Sequence, residues 1–478
     1  MNQKIIYAAS ALQKRIGLEK HMSYNSCLDS TGVFKWEKEY AKSFQKLESN
    51  RDEFDKKIIK FHERFQVTYG IMSWEYMKLI PVSQDKNNTW VSPLNMDARR
   101  SNDSMSVIAS LNFFQSIYEG DNKVANQNLS KLKSIQRNVA KNIVPAEEIV
   151  NLEIIYNDLN VFKRTLNGYG IVGLLMLILF FIKIFLSSSP PIFEILRKVL
   201  FTLLIGLFLF HASGLAMRWI ISGHAPWSNG YEAVIFIAWV SMLAGFLFSR
   251  KNAVVIAGTA ILAALMIFVT EMNLLDPEIT PLQPVLKSYW LMIHVAVITG
   301  SYGFLGLACI LGFLNLTLYI FQTNTNKVIV KRNINELTYV SEMTMTIGLF
   351  MLTIGTFLGG IWANESWGRY WGWDPKETWA LVSVLVYAVI LHLRFIPGLK
   401  SKFVFNLVAF WGYSAILFTF FGVNFVLVGL HSYAQGDGLS DIPNWIGYTA
   451  VFFVGFSILA FLRNKRMKSP NSSSNDER

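Results

Sequence analysis

The chain has 478 residues, of which 52% are hydrophobic and only 16% are charged. This composition excludes an ordinary soluble globular protein and indicates a protein that exposes apolar side chains to lipid. The net charge of +11 does not point to nucleic acid, because most basic residues of the C-terminal two thirds lie in short segments between apolar runs. The two cysteines, Cys27 and Cys309, form no C-x-x-C motif, so any thiol chemistry belongs to a partner.

Residues 1–165 form a polar block that is rich in Lys, Glu, Asn and Ser. No apolar run in it approaches the roughly 20 residues that span a bilayer, so we expect a soluble domain. Apolar residues recur at three- and four-residue steps within 35–65, 105–117 and 122–135, which predicts helices. His21 and His62 stand beside charged residues, and we expect both to be solvated rather than to bind a metal or haem.

From Tyr169 onward the chain alternates apolar runs with short polar segments, which predicts nine membrane-spanning helices. The predicted spans are 169–187, 199–221, 231–249, 253–272, 289–321, 342–362, 379–395, 403–428 and 445–462. The fold class is therefore an all-α polytopic membrane protein with an N-terminal, mainly helical domain.

The basic residues divide unequally between the two sides of the membrane. Fifteen lie on one side, namely Lys183, Arg197, Lys198, Arg250, Lys251, Lys327, Lys331, Arg332, Arg394, Lys400, Lys402, Arg463, Lys465, Arg466 and Lys468. Four lie on the other side: Arg218, Lys287, Arg369 and Lys376. The positive-inside rule then predicts a cytoplasmic C-terminus and an extracytoplasmic N-terminal domain. Because no signal-like apolar core lies within residues 1–17, we expect the chain to lack its own beginning.

Residues 362–379 hold five tryptophans and Tyr370, interrupted by Gly368, Gly372 and Pro375. An interfacial aromatic belt is one interpretation. A belt usually takes one or two aromatic residues per helix end, whereas this segment also carries Arg369, Asp374, Lys376 and Glu377. We therefore predict a flat aromatic face on the outer side that binds a large planar ligand.

Five histidines lie in the membrane region. His294 and His431 lie on the outer side at the level of the aromatic segment, whereas His392 is about 20 Å below Trp379 near the inner side. An intramembrane histidine defaults to a functional hypothesis, yet His211 fits a hydrogen-bonding role equally well. His224 lies in an outer loop, where it is either structural or part of the site.

Two outer imidazoles beside a tryptophan-rich face suit haem, since neutral histidine binds haem iron and Arg369 and Lys376 would balance the propionates. Zinc is the alternative, but it needs three or four close donors, and the segment offers few besides Asp374 and Glu377.

Two stretches resemble a known family. W-G-R-Y-W-G-W-D-P-K-E-T-W and R-W-I-I-S-G-H-A-P-W-S-N-G-Y-E are similar to signatures of CcsA or ResC, the WWD-domain haem-handling proteins of system II cytochrome c biogenesis. The resemblance covers about 199–462. It implies a haem b whose iron is bound by His294 and His431, a second, transmembrane haem site at His392, and a cofactor face formed by Trp367, Arg369, Tyr370, Trp371, Trp373, Asp374 and Lys376.

The resemblance also implies a domain organisation. Residues 1–165 would be the end of a CcsB-like region, 166–198 a single span and linker, 199–462 an eight-helix CcsA-like domain with its WWD loop at 362–379, and 463–478 a cytoplasmic tail. The chain would then be the C-terminal part of a CcsB–CcsA (ResB–ResC) fusion. The ligand that pairs with His392 would lie in CcsB sequences that this chain does not contain, unless a separate polypeptide supplies it or His211 substitutes.

The implied activity is that of a holocytochrome c synthase in a bacterial inner membrane. It attaches translocated haem to a C-x-x-C-H segment of apocytochrome c, together with CcsB-like sequences and thiol-reducing proteins. Two other functions stay open: export of haem without synthase activity, and electron transfer by a membrane dihaem protein.

Overall fold

The computed structural model describes residues 4–46, 51–82, 89–94, 104–141, 143–186, 190–249, 252–272, 274–280, 287–427 and 444–468. The chain divides into two compact units, Met1–Ala146 and Glu147–Arg478. We call them unit 1 and unit 2. The division falls about twenty residues before the expected boundary at 165.

Unit 1 combines helices with two small antiparallel strand pairs. Its helices are α1 (Ser10–Ile16), α2 (Glu37–Phe44), α3 (Glu53–Met72), α4 (Ser104–Tyr118) and α5 (Asn122–Val139). Its strands are β1 (Lys4–Tyr7), β2 (His21–Ser23), β3 (Ile80–Pro81) and β4 (Trp90–Val91), where β1 pairs with β2 and β3 pairs with β4. The helices match the periodic segments predicted from the sequence.

Helix α3 organises the core of unit 1. Its N-terminus carries a capping box, in which the Asp52 side chain accepts the Asp55 N–H and the Asp55 carboxylate accepts the Asp52 N–H. One face of the helix buries Ile58, Phe61 and Phe65 against residues of the N-terminal segment. Burial of this apolar face is what fixes the helix, since propensity alone rarely does.

The expectation that His62 is solvated is wrong. Its side chain is only 8% exposed, and its ring stacks on Tyr40 at 3.7 Å between centroids. The reason is helical geometry: His62 lies four residues after Ile58 and therefore shares the buried face of α3. His21 is exposed, as expected.

Unit 2 is a bundle of long helices. In chain order they are α6 (Glu147–Leu159), α7 (Val161–Phe185), α8 (Pro191–Ser222), α9 (Gly230–Ser249), α10 (Ala253–Thr270), α11 (Tyr289–Phe321), α12 (Lys327–Trp367), α13 (Pro375–His392), α14 (Lys402–Leu417), α15 (Val423–Val426) and α16 (Asn444–Lys468). Within the described residues, nine helical segments are long and apolar enough to cross a membrane. The prediction of an all-α polytopic membrane protein is confirmed.

Helix α6 explains why unit 2 begins at 147. It packs against α8, and it continues into α7 through Asn160, whose φ of 42° breaks the helix for one residue. The sequence from 147 to 159 is too polar to be recognised as part of a span. This segment belongs to unit 2 because it packs against α8.

Helices α11 and α12 form the most extensive contact of the bundle. A Cβ on Gly355 would lie 3.0 Å from Ile298 Cβ, and one on Gly348 would lie 2.6 Å from Leu305 Cδ2. Small residues at these positions let the two backbones approach closely, as is typical of helix pairs in membranes. The close approach brings the first turns of α11 beside the end of α12.

Candidate functional site

A cavity of about 170 Å³ lies where α9, α11 and α13 begin and where α12 and α15 end. It therefore lies at one end of the bundle. The residues that line it include Trp227, Met292, His294, Gly359, Trp362, Tyr370, Trp371, Lys376 and Asn424. The structure thus brings together both of the sequence stretches that carry the family resemblance.

His294 is the candidate ligand in this cavity. Its Nδ1 lies 2.7 Å from the carbonyl oxygen of Gly355 on α12. Because a carbonyl only accepts, Nδ1 carries the proton and Nε2 carries the lone pair. Histidines that bind metals usually donate their other ring N–H to such a group, which fixes both the tautomer and the ring orientation.

The imidazole of His294 packs on the glycine-lined end of α12. A Cβ on Gly359 would lie 2.6 Å from His294 Cε1, so only glycine leaves room for the ring there. The ring is parallel to the indole of Trp362, with 6.5 Å between centroids and 8° between planes. The position of His294 is thus set by contacts on α12.

The aromatic segment differs from the predicted flat face. Helix α12 continues to Trp367, so only residues 368–374 are non-helical. Trp362 is 1% exposed and belongs to the core, whereas Tyr370 is 64% and Trp373 71% exposed. The rings of Trp371 and Trp373 are nearly perpendicular, at 87°. The expectation of one flat platform is wrong, and the segment instead presents ring edges and faces in several directions.

The short loop is held by the N-terminus of α13. Asp374 is the N-cap and is 6% exposed, and its side chain accepts the Lys376 N–H. Glu377 completes a capping box, since its Oε2 accepts the Gly372 N–H at 2.7 Å and the Asp374 N–H at 3.2 Å. Both carboxylates therefore bind backbone. Asp374 shapes the loop rather than facing a ligand.

Two other backbone features complete the loop. Gly368 ends α12 with a φ of 72°, and Trp373 adopts a φ of 57°, which is uncommon for a side chain of that size. The Arg369 guanidinium lies against Gly372, where an added Cβ would coincide with it. Arg369 is thus folded back over the loop.

Lys376 is the one lysine or arginine among the described residues that line the cavity. Its Nζ donates to Asn424 Oδ1 at 2.8 Å. Asn424 follows a π-helix, Phe418–Gly422, in which the Thr419 hydroxyl donates to the Ala415 carbonyl at 2.7 Å. Such irregular turns are frequent at functional sites. Asn424 is not predictable as a site residue, because no sequence pattern links it to Lys376.

The second sequence stretch supplies another wall. Trp227 lines the cavity, and its Nε1–H donates to the Met292 carbonyl at 3.1 Å, two residues before His294. The stretch carries the family resemblance, but nothing in its sequence predicts that Trp227 belongs to the site. His224 is half-buried in the same loop, and its Nδ1 lies 3.3 Å from the Ala225 carbonyl.

The other histidines lie elsewhere. His392 is exposed at the end of α13 opposite the cavity, and its Nδ1 donates to the Ala388 carbonyl at 2.7 Å. His211 is fully buried between α7 and α8, with its ring 5.5 Å from Phe162 and 5.9 Å from Tyr169. His431 lies outside the described residues.

Comparison with known proteins found relatives that are described as cytochrome c assembly or biogenesis proteins. The family model described as cytochrome C assembly protein matches residues 227–431. Protein NrfI of Wolinella succinogenes is 36% identical over 438 residues, which cover 90% of this chain and 48% of NrfI. The chain thus spans about half the length of that relative.

Shorter relatives match about half of this chain. The cytochrome c biogenesis protein CcsA of Prochlorococcus marinus subsp. pastoris is 36% identical over 273 residues, 51% of this chain and 85% of that protein. CcsA of Chlamydomonas reinhardtii is 37% identical over 226 residues, 46% of this chain and 64% of that protein.

Proposed function

The chain belongs to the CcsA family of cytochrome c biogenesis proteins, and from that premise we propose that it presents haem b for covalent attachment to apocytochrome c. The observation that carries the proposal is His294, whose tautomer and orientation are fixed by Gly355 at the edge of an aromatic cavity. We place this cavity on the outer side of a bacterial inner membrane, because the basic residues concentrate at the opposite side.

The donor set fits haem iron. His294 offers Nε2 as a neutral imidazole ligand, and the hydrogen bond from Nδ1 makes that ligand more basic. The second axial ligand is His431, on the basis of the family resemblance. Zinc, the alternative, would need three or four close N, S or O donors.

The volume of the cavity constrains how haem binds. About 170 Å³ is below the roughly 300–1,000 Å³ of sites that enclose a small molecule. We therefore infer that the ring lies at the mouth of the cavity, with one edge inside and the other beside the exposed Tyr370 and Trp373. Trp371, which lines the cavity, then faces the inner edge, and Trp367 packs edge-on against Trp362. An exposed edge is what attachment to a second protein requires.

The charged residues of the site would orient the ring. Lys376 is held at the cavity by Asn424 and offers a charge-assisted hydrogen bond to a propionate. Arg369 lies at the edge of the loop, where it serves the same purpose. Asp374 and Glu377 fix the backbone between these two cations through the capping box.

The protein contributes positioning to the reaction. Bound haem supplies two vinyl groups, to each of which one thiol of the C-x-x-C-H segment adds. Holding the ring fixed turns a bimolecular step into an effectively unimolecular one, which supplies much of the rate. The chain supplies no thiol itself, since Cys27 is fully buried and Cys309 lies within α11. Thiol-reducing partners therefore keep the apocytochrome reduced.

His392 suits an inner haem site. It lies sixteen residues along α13 from Lys376, about 24 Å at the rise of an α-helix. Its Nδ1–H donates to Ala388, so Nε2 carries the lone pair on an exposed side chain. We propose that a CcsB- or ResB-like partner completes this site with a second ligand and that haem passes from here to the outer cavity.

Co-expression with a C-x-x-C-H reporter tests the proposal. The chain and a CcsB-like partner should yield reporter that still stains for haem after denaturation, and yield should disappear without the chain. Free haem outside the cell, with no stained reporter, would instead identify a haem exporter. Haem that stays on the chain when apocytochrome is added would identify a dihaem electron carrier.

A further inference from the structure

The loop between α8 and α9, residues 223–229, is closed by a buried ion pair. Arg218 lies near the end of α8 and Glu232 lies in the first turn of α9, and both are 0% exposed. Arg218 Nε donates to Glu232 Oε1 at 2.7 Å. Removing two charges from water is costly, so such a pair persists only where further hydrogen bonds satisfy both partners.

Arg218 has those further hydrogen bonds. Its NH1 donates to the Pro277 carbonyl at 2.9 Å and to the Tyr156 hydroxyl at 3.3 Å, and its NH2 donates to the Glu278 carbonyl at 3.1 Å. The planar guanidinium thereby joins α6, α8, α9 and the segment that precedes α11. A lysine has no comparable fork of donors.

Glu232 uses its other oxygen to hold the loop. Its Oε2 accepts the Ser228 N–H at 2.9 Å, and its own N–H donates to Asn229 Oδ1 at 2.8 Å. The loop is therefore fixed at its end by the same carboxylate that binds Arg218.

The held loop is also a wall of the cavity. Trp227, Ser228 and Asn229 line it, and Trp227 is bonded to the Met292 carbonyl beside His294. We propose that Arg218 and Glu232 are positioning residues of this site: their ion pair fixes the loop as a wall of the His294 cavity. The consequence for haem rests on the proposed function, whereas the effect on the loop does not.

The alternative is that the Arg218–Glu232 pair only stabilises the fold. A suitable choice of variants distinguishes this role from positioning of the loop. A single replacement such as Glu232→Gln leaves Arg218 buried without its counter-charge, so folding and positioning change together. The double variant Arg218→Met/Glu232→Leu removes both charges and refills the space with apolar side chains. Such replacements are often neutral for stability. In the double variant, however, the Ser228 N–H loses the carboxylate that accepted it, and the carbonyls of Pro277 and Glu278 lose the guanidinium that donated to them.

Cysteine labelling reports the position of the loop directly. In a Cys27→Ala/Cys309→Ala background, Ala225→Cys places a thiol in the loop at a site that is 2% exposed. The matched control is Ala140→Cys in unit 1, at a site that is 3% exposed. Maleimide should label residue 225 at least about tenfold faster in the double variant, because loss of the hydrogen bonds lets the loop open locally. Labelling of residue 140 should not change.

The haem spectrum supplies the second measurement, on full-length protein in membranes. In the double variant the His294-dependent haem spectrum should change while the amount of protein stays normal. Unchanged labelling of residue 225, or faster labelling with an unchanged haem spectrum, would overturn the inference. If the parent chain carries no His294-dependent haem, the proposed function fails, and the labelling alone still decides whether the pair holds the loop.

Discussion

The imidazole of His294 lies 2.6 Å from the point that a Cβ atom on Gly359 would occupy. The two residues are on neighbouring helices, and the same ring donates to Gly355, one turn earlier on α12. The position and the tautomer of this ring both depend on α12. A substitution on that helix should therefore move the His294 imidazole, although His294 itself is unchanged.

The variant Gly359→Ala should displace the imidazole of His294. Replacing glycine by alanine inside a helix raises helix stability by about 1 kcal/mol, so α12 itself should not be weakened. The displaced ring would lose its orientation, and a change in such a supporting contact typically lowers metal affinity by roughly 10–100-fold. Haem content of purified protein, measured by absorbance at equal protein amount, should fall accordingly.

Gly206→Ala is the matched control, because a Cβ at Gly206 on α8 meets nothing within 4 Å. It should leave haem content unchanged. Equal haem content in the two variants would show that the position of His294 does not matter for binding.

Replacement of His294 by Gly should remove haem and allow chemical rescue. The open axial position admits a small imidazole, while the aromatic residues and the second ligand still hold the ring. Haem content and synthase activity should fall in His294→Gly, and added imidazole should restore part of each. His431→Gly, although its site lies outside the described residues, should behave in the same way.

The control for rescue is His62→Gly in unit 1. His62 is buried against Tyr40, so its removal leaves a cavity and should lower the amount of protein. Added imidazole should not restore haem there. Unchanged haem spectra in both His294→Gly and His431→Gly would remove the basis for the site.

The spans were predictable because hydrophobicity is a local property of the sequence. Each apolar run by itself predicts a membrane span, and the nine spans among the described residues agree with the nine predicted. Helix ends were less predictable. The predicted span ends at residue 362, but residues 361–367 contain neither Gly nor Pro, so α12 continues to Trp367. Trp362 is then buried in the wall of the cavity, with its ring parallel to that of His294.

The site depended on contacts that no local pattern contains. Asn424 and Lys376 are hydrogen-bonded although they are 48 residues apart in the sequence. Arg218 donates to the carbonyls of Pro277 and Glu278, which are about sixty residues away in the sequence. The exposure of His62 was not predictable for a related reason. Its neighbours in the sequence are charged, but its side chain is buried because it lies on the buried face of α3. Residue types indicated the chemistry of the site, whereas packing determined which residues face it.

Lys376→Gln should weaken the binding of haem through its propionates. Loss of a charge-assisted hydrogen bond, worth about 1.5–3 kcal/mol, predicts an affinity at least roughly tenfold lower. Titration of purified protein with haem measures this. Titration with the dimethyl ester of haem, which has no carboxylate, should show no difference between Lys376→Gln and the parent chain.

Lys402→Gln is the control for a general effect of charge. Its Nζ contacts Asn335 Oδ1 at 2.6 Å, at the N-terminus of α14 and away from the cavity. It should bind haem as the parent chain does. An equal loss of affinity for haem and for its ester in Lys376→Gln would contradict a role for Lys376 at a propionate.

His62 should make the stability of unit 1 depend on pH. Burial lowers the pKa of its imidazole, and the opposing effect of Glu37 and Glu63 is smaller. In the unfolded chain the pKa of histidine is about 6.5. Below that pH the unfolded state binds a proton that the folded state does not, so stability is complete above it and falls as the pH drops. The fall ends once the pH passes the lowered pKa of the folded state.

His62→Phe should abolish this dependence, because phenylalanine can stack on Tyr40 and does not titrate. One proton changes the free energy of unfolding by at most about 1.4 kcal/mol per pH unit. Limited proteolysis of unit 1 in the full-length, detergent-solubilised chain, followed against urea at pH 7.5 and pH 5.5, measures the difference. The exposed His21 gives the control, and His21→Gln should keep the parent's dependence. A parent chain equally stable at both pH values would show that His62 is as readily protonated when folded as when unfolded.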